Sequence, residues 1–238
     1  MEKKFLTKYK INSDYSEFFN KNRIDYIENF LDDLEQKKIV FVPERLNIFK
    51  ALGNKISKSK VMILGMDPYK QKDVATGIAF EVEEKNWNSK KVNNSLKNIL
   101  KLIYFSYFNK YENINFIRDE IDRGKFEILP PNEIFKSWNK QGVILLNTAL
   151  TTELEKSGVH LKQWQVFIED LLKYITDKNN KLIYFLWGQN AQKFLEFTKN
   201  NKKYLSNHPA ICGNMKNPKD FMNNKCFKET KEIINWLK

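Results

Sequence analysis

The sequence predicts an α/β fold layered around a mainly parallel sheet, and three observations carry that prediction. Four short apolar runs are each closed by polar or turn-forming residues, helix-like stretches separate them, and no repeat, low-complexity linker or Pro/Gly-rich seam divides the 238 residues. Continuous apolar runs of this length suit strands covered on both faces, and their alternation with helices builds a layered domain. A single domain over 1–238 is therefore expected.

In chain order, residues 12–38 read as helical, with Phe18, Phe19, Ile27, Phe30, Leu31 and Leu34 near helical spacing and Ser13–Asp14 as a start signal. This makes residues 1–40 an N-terminal helical extension. Pro43–Leu52 is a second helical stretch, with Pro43 suited to a first turn. The four apolar runs then follow. Val61–Leu64 ends in Gly65-Met66-Asp67-Pro68-Tyr69, Val143–Leu146 in Asn147-Thr148, Leu182–Leu186 in Trp187-Gly188-Gln189, and a weaker run, Lys203–Leu205, in Ser206-Asn207-His208-Pro209. Helices are expected at 93–108, 132–140, 162–177, 189–199 and 228–237. The charged, aromatic stretch 105–131 reads as a surface helix plus loop, with an interaction insertion as the alternative.

In layered α/β folds ligands bind beyond the carboxyl ends of the strands. Asp67, Asn147 and His208 fall there. Three polar residues of different chemistry at successive strand ends are the first functional signal.

The formal net charge is +12, from 41 Lys and Arg against 29 Asp and Glu. Such a surplus points to a polyanion, most commonly nucleic acid. A low-GC codon bias produces the same surplus, because Lys, Asn, Ile and Phe abound while Arg occurs only at 23, 45, 118 and 123. No apolar run approaches the ~18–20 residues of a membrane span. The first ten residues, MEKKFLTKYK, lack the apolar stretch of a secretory signal. Cys212 and Cys226 are too few for a disulfide framework or an Fe–S cluster. A reducing, cytoplasmic setting is expected, with no membrane partner.

Gly65-Met66-Asp67-Pro68-Tyr69-Lys70 resembles the GQDPYH water-activating loop of family 1 uracil-DNA glycosylases. Four more segments resemble that family in the same order: Thr76–Phe80 its HGLAF segment, Gln141–Thr148 its QGVLLLNT, Trp187–Lys193 its WGSxAQKK, and Asn207–Ala210 the start of its HPSPLS leucine loop. The resemblance runs from about Ile39 to Trp236. It implies a three-layer α/β/α fold with a central, mainly parallel four-stranded twisted sheet. It also implies monofunctional, cofactor-free and metal-free hydrolysis of the glycosidic bond of deoxyuridine, by a monomer acting on single- or double-stranded DNA.

Under the resemblance, Asp67 positions the attacking water and His208 donates to the departing uracil. Asn147 reads the polar edge of the base, Phe80 stacks on it, Met66 borders it, and Tyr69 blocks the methyl of thymine. Lys70, Ser95, Ser157, Pro209, Ala210, Ile211 and Met215 are the expected DNA contacts. Each also has a plainer reading: Asp67 as an Asx-turn before proline, Asn147 as a helix cap, Phe80 as a core aromatic, Tyr69 as a turn residue, His208 as a structural histidine. His208, Cys212 and Cys226 also admit a zinc reading, though they lack CxxC spacing.

The sequence departs from the family pattern in four places. Met66 and Lys70 replace the Gln and final His of GQDPYH. Asn93-Asn94-Ser95 replaces a Pro-rich PPS loop, so a more mobile loop is expected. No Leu follows His208-Pro209, leaving Ile211 or Met215 as the apolar plug. Residues 82–94 and 105–131 look longer than their counterparts. His160, in Ser157-Gly158-Val159-His160, resembles a family segment whose following turn is not kept here. The departures leave two further readings open: a glycosylase for a modified or damaged pyrimidine, and a catalytically reduced DNA-binding or interaction protein.

Overall fold

From the N-terminus the chain forms α1 (Glu2–Lys8), a single 3₁₀ turn at Ser13–Tyr15, α2 (Lys21–Gln36) and a short strand β1 (Phe41–Val42). β2 (Val61–Gly65) follows, then α3 (Asn94–Phe108), α4 (Ile114–Asp122), α5 (Pro131–Lys140) and β3 (Val143–Asn147). The remaining elements are β4 (Thr152–Glu153), α6 (Leu161–Lys178), β5 (Ile183–Trp187), α7 (Gln189–Gln192), β6 (Lys203–Ser206) and α8 (Cys226–Thr230). The computed structural model describes residues 1–199 and 201–238.

Four parallel strands make the central sheet in the order β3-β2-β5-β6. Register aligns Gly65 with Asn147 and Leu64 with Leu186, so the strand ends that carry polar residues lie side by side. Side chains alternate between faces as the pleat requires. Met62, Leu64, Ile144, Leu146, Tyr184 and Leu186 enter one core, packed by the N-terminal segment and α6. Val61, Ile63, Val143, Leu145, Phe185 and Trp187 enter the other, packed by α3, α5 and α8. Two cores on two faces give the three layers.

The N-terminal 40 residues are built into the first core. Phe5, Tyr9, Phe19 and Phe49 pack ring against ring, with centroids 4.6–5.7 Å apart. Residues 12–38 are not one helix. Asn20 accepts from the Arg23 N–H and starts α2 there, while Asn12 caps the separate 3₁₀ turn. Pro43–Leu52 holds two 3₁₀ turns, at Arg45–Asn47 and Lys50–Leu52, instead of a helix. The stretch 189–199 divides into α7 and a 3₁₀ turn at Leu195–Thr198. The C-terminal helix stops at Thr230, and the chain then turns to bury Ile234 and Trp236, whose ring meets Trp138 at 5.0 Å. Helix α1 and the antiparallel β1–β4 pair had no counterpart in the sequence reading.

The two long segments pack on each other. Trp87 is buried and its indole N–H donates to the Leu129 carbonyl (2.9 Å), while Arg118 Nε donates to the Trp87 carbonyl (2.9 Å). Ile117 and Phe126 close the second core. The 105–131 stretch is thus a helix plus loop whose apolar face completes the domain.

Candidate active site

A cleft of about 750 Å³ opens at the carboxyl ends of β2, β3 and β5. Asp67, Tyr69, Phe80, Asn147 and His208 all line it. They come from sequence positions 67 to 208, and only the parallel register brings them together.

At the end of β2, Gly65 leaves room for the Asn147 side chain. A Cβ there would stand 2.3 Å from Asn147 Oδ1. The bare glycine lets the Asn147 amide lie across the strand end, where it stays 8% exposed. Beyond it, the Met66 carbonyl accepts from Thr148 Oγ1 (2.9 Å) and the Ala149 N–H (2.8 Å), tying the β2 and β3 ends together.

Asp67 is held from across the cleft. Its Oδ2 accepts from Ser157 Oγ (2.8 Å) and from the Gly158 N–H (2.6 Å). Among the described residues no side-chain or backbone donor reaches Oδ1. Lys70 joins the same two loops: its carbonyl accepts from the Glu155 N–H (2.9 Å), and its Nζ donates to the Glu155 carbonyl (3.2 Å). The Asx-turn reading of Asp67 gives way to this longer-range anchorage. One carboxylate oxygen is fixed and the other is left for a small polar molecule.

Tyr69 is packed against the second core, and burial pushes its phenol up to about 12. Asn93 Nδ2 donates to its hydroxyl (2.9 Å), while Asn93 Oδ1 accepts from the Leu96 N–H (3.0 Å) and caps α3. The residue standing in place of a proline therefore fixes both the tyrosine and the helix start. Ser95, in the first turn of α3, lines the cleft mouth, where the helix dipole favours an anion.

Phe80 has a left-handed backbone (φ 65°) and lies near-parallel to His208, with centroids 6.3 Å apart. Gly188, at φ 85°, is another enforced glycine, since a Cβ would meet His208 Cβ at 2.9 Å. The Ala210 N–H donates to His208 Nδ1 (3.2 Å), which places the imidazole proton on Nε2. Burial holds this imidazole below its ordinary value, so it is neutral near pH 7.

Of the expected DNA contacts, Lys70, Ser95, Ser157 and Ile211 line the cleft, and Ile211 is 73% exposed. Met215 is exposed away from the cleft lining. Pro209 is buried, its carbonyl accepting from Asn98 (2.7 Å), and Ala210 serves through its backbone. Met66 lines the cleft, with its sulfur receiving the Asn190 amide. His160 lies apart, in a buried bond to Thr151 Oγ1 (2.9 Å), with the Trp164 indole on the same hydroxyl (2.8 Å). Among the described residues no group of three or more His, Cys, Asp and Glu side chains is gathered to hold a metal, and His208, Cys212 and Cys226 form none.

Sequence reasoning missed Asn93, Gly158, Gln189, Asn190 and Lys193. The last three line the cleft after β5, and their place just beyond a strand end was the available signal. Gly158 was marked only as part of the Ser157–His160 segment, and its role as a backbone N–H supplied from 91 residues away was not visible there.

The model of the uracil DNA glycosylase superfamily matches residues 52–238. The uracil-DNA glycosylase of Fusobacterium nucleatum is 31% identical over 235 residues, covering 94% of this chain and 92% of its own. The crystal structure of mimivirus uracil-DNA glycosylase superposes with a TM-score of 0.66 at 28% identity, covering 87% of this chain and 74% of its own. The wild-type UNG crystal structure from Nitratifractor salsuginis shares the fold across 99% of this chain and 96% of its own, with a TM-score of 0.75 at 19% identity. No helix among the described residues is long and apolar enough to cross a membrane.

Proposed function

This chain belongs to the uracil-DNA glycosylase superfamily, and we propose that its cleft hydrolyses the N-glycosidic bond of deoxyuridine in DNA, releasing uracil and leaving an abasic site. The observation that carries this reading is the convergence of Asp67, Asn147, Phe80 and His208 on one cleft at the strand ends. The base must leave the stack to reach them.

Phe80 offers its ring face to the extruded base, and the Asn147 amide supplies donor and acceptor together to the uracil edge. Tyr69, held by Asn93, occupies the space beside C5 and excludes a methyl group there. A gate fixed in this way favours uracil over 5-substituted pyrimidines.

Asp67 Oδ1 takes a proton of the attacking water as the water oxygen bonds to C1′. The C1′–N1 bond breaks, and its electron pair leaves on uracil as an anion. The Asp67 carboxylate lies near the positive charge developing on the deoxyribose, and His208 Nε2–H donates to uracil O2 as negative charge develops there. Preorganisation supports both roles: Ser157 and Gly158 hold the carboxylate, and Ala210 fixes the imidazole tautomer. Ile211, exposed at the mouth, fills the vacated stack, while Ser95 and Lys70 meet the backbone phosphates.

The chain acts as an intracellular monomer without metal or cofactor. Its two cysteines are unpaired, with Cys226 buried and Cys212 half-buried, which suits a reducing compartment. Incubation with single- and double-stranded uracil-containing oligonucleotides, followed by alkali, tests the reading. Strand cleavage at the uracil position is expected, and intact substrate at enzyme excess would overturn it.

A further inference from the structure

A second cleft, of about 860 Å³, lies at the opposite end of the sheet, where β2, β3 and β5 begin. Lys55, Lys58, Lys60, Lys140 and Lys181 line it, and no aspartate or glutamate does. All five lysines are exposed. Among the described residues none of the five forms an ion pair. By contrast, the charged residues lining the catalytic cleft are Lys70, Lys193 and Asp67. The lining of this second cleft therefore carries more net positive charge than that of the catalytic cleft.

The floor between these lysines is rigid. Asn179 Nδ2 donates to the carbonyls of Ile56 (2.9 Å) and Ser59 (2.8 Å), and Gln141 Nε2 donates to those of Asn235 (3.0 Å) and Lys238 (2.7 Å). Gly142, at φ 99°, brings its backbone against Lys58, where a Cβ would stand 2.6 Å from the carbonyl. The amide donors of the floor are thus engaged within the chain, and the lysine ammonium groups projecting from it are left to meet phosphate oxygens.

We propose that this cleft is a second DNA-binding site, which takes the phosphate backbone of a duplex segment other than the one in the catalytic cleft. Five lysines with no acid among them suit a polyanion, and neutralising several phosphates gives sequence-independent, salt-sensitive binding. The clefts are separated by the length of the five-residue strands, about 15 Å, and open at opposite ends of the sheet. DNA is stiff over about 150 base pairs, so a duplex lying over one cleft cannot bend back to reach the other. Two segments held at once let the protein pass from one to the next without full release.

The test uses the full chain and two uracil-free duplexes of 20 base pairs, one carrying a donor dye and one an acceptor. Energy transfer dependent on protein is expected for the natural sequence. It should fall at least tenfold in the triple variant Lys55→Gln, Lys58→Gln, Lys140→Gln, and also fall in Lys181→Glu on a separate segment. Melting temperatures and single-turnover uracil release from a short oligonucleotide should stay unchanged in both. That last measurement separates failure of this site from failure of the catalytic reading. Absence of transfer with the natural sequence, undiminished transfer in the variants, or lysine-dependent binding of polyglutamate without a second duplex would each overturn the proposal, the last in favour of an acidic protein partner.

Discussion

The Gly158 N–H donates to Asp67 Oδ2 at 2.6 Å, joining the end of β2 to a loop 91 residues further along. With Ser157 Oγ on the same oxygen, this contact leaves one face of the carboxylate for water. In the proposed mechanism the loop carrying Ser157 and Gly158 thus positions Asp67 without contributing a reacting group.

Ser157→Ala removes one of the two donors while the Gly158 N–H remains. A hydrogen bond to a charged group contributes about 1.5–3 kcal/mol, and the surviving donor retains part of that. Single-turnover uracil release should slow about tenfold. An unchanged rate would mean that the loop does not position Asp67.

Gly65→Ala tests the close approach at the strand end. The new Cβ meets Asn147 Oδ1 at 2.3 Å, and overpacking of this kind costs about 1–3 kcal/mol. A lower melting temperature and loss of uracil release are expected together. A variant that melts and cleaves as the natural protein does would show that Asn147 is free to move.

Asn93→Ala removes both the α3 cap and the bond to the Tyr69 hydroxyl. Loss of the cap costs about 1 kcal/mol. The freed tyrosine should relax the exclusion of a 5-methyl group, read as measurable thymine release from a thymine-containing oligonucleotide. Thymine release no higher than that of the natural protein would remove Asn93 from the specificity argument.

Burial lowers His208 and His160 from the ordinary 6.5. Both stay neutral to lower pH in the folded chain than in the unfolded one, so the unfolded chain takes up protons first as pH falls. Stability is thus complete above about pH 6.5 and declines below it, toward the lower folded values. His208→Gln should reduce that acid loss without abolishing it, because His160 remains. Thermal melts between pH 8 and 5 measure the difference, and identical pH profiles would contradict it.

Much of this was legible beforehand. Three of the four parallel strands appear as continuous apolar runs and the fourth as a weaker one, so the strand-end residues Asp67, Asn147 and His208 were visible as a set. The N-terminal segment was harder to place. Its aromatics at positions 5, 9, 18 and 19 mark a buried face, but nothing local says that the face closes the sheet's first core. Asn93 read as a lost proline because its two bonds depend on Tyr69 and α3 arriving in space. The +12 charge was visible as a sum, whereas the gathering of five lysines around one cleft depends on three strand starts lying side by side.

The central claim is that Asp67 activates water for uracil release. The most direct test compares the natural protein with Asp67→Asn on a uracil-containing oligonucleotide under single-turnover conditions. Complete release by the natural protein is expected, with a rate lower by about 10²–10⁴-fold in the variant and affinity for abasic DNA retained. Equal rates, or no release by the natural protein at enzyme excess, would contradict it.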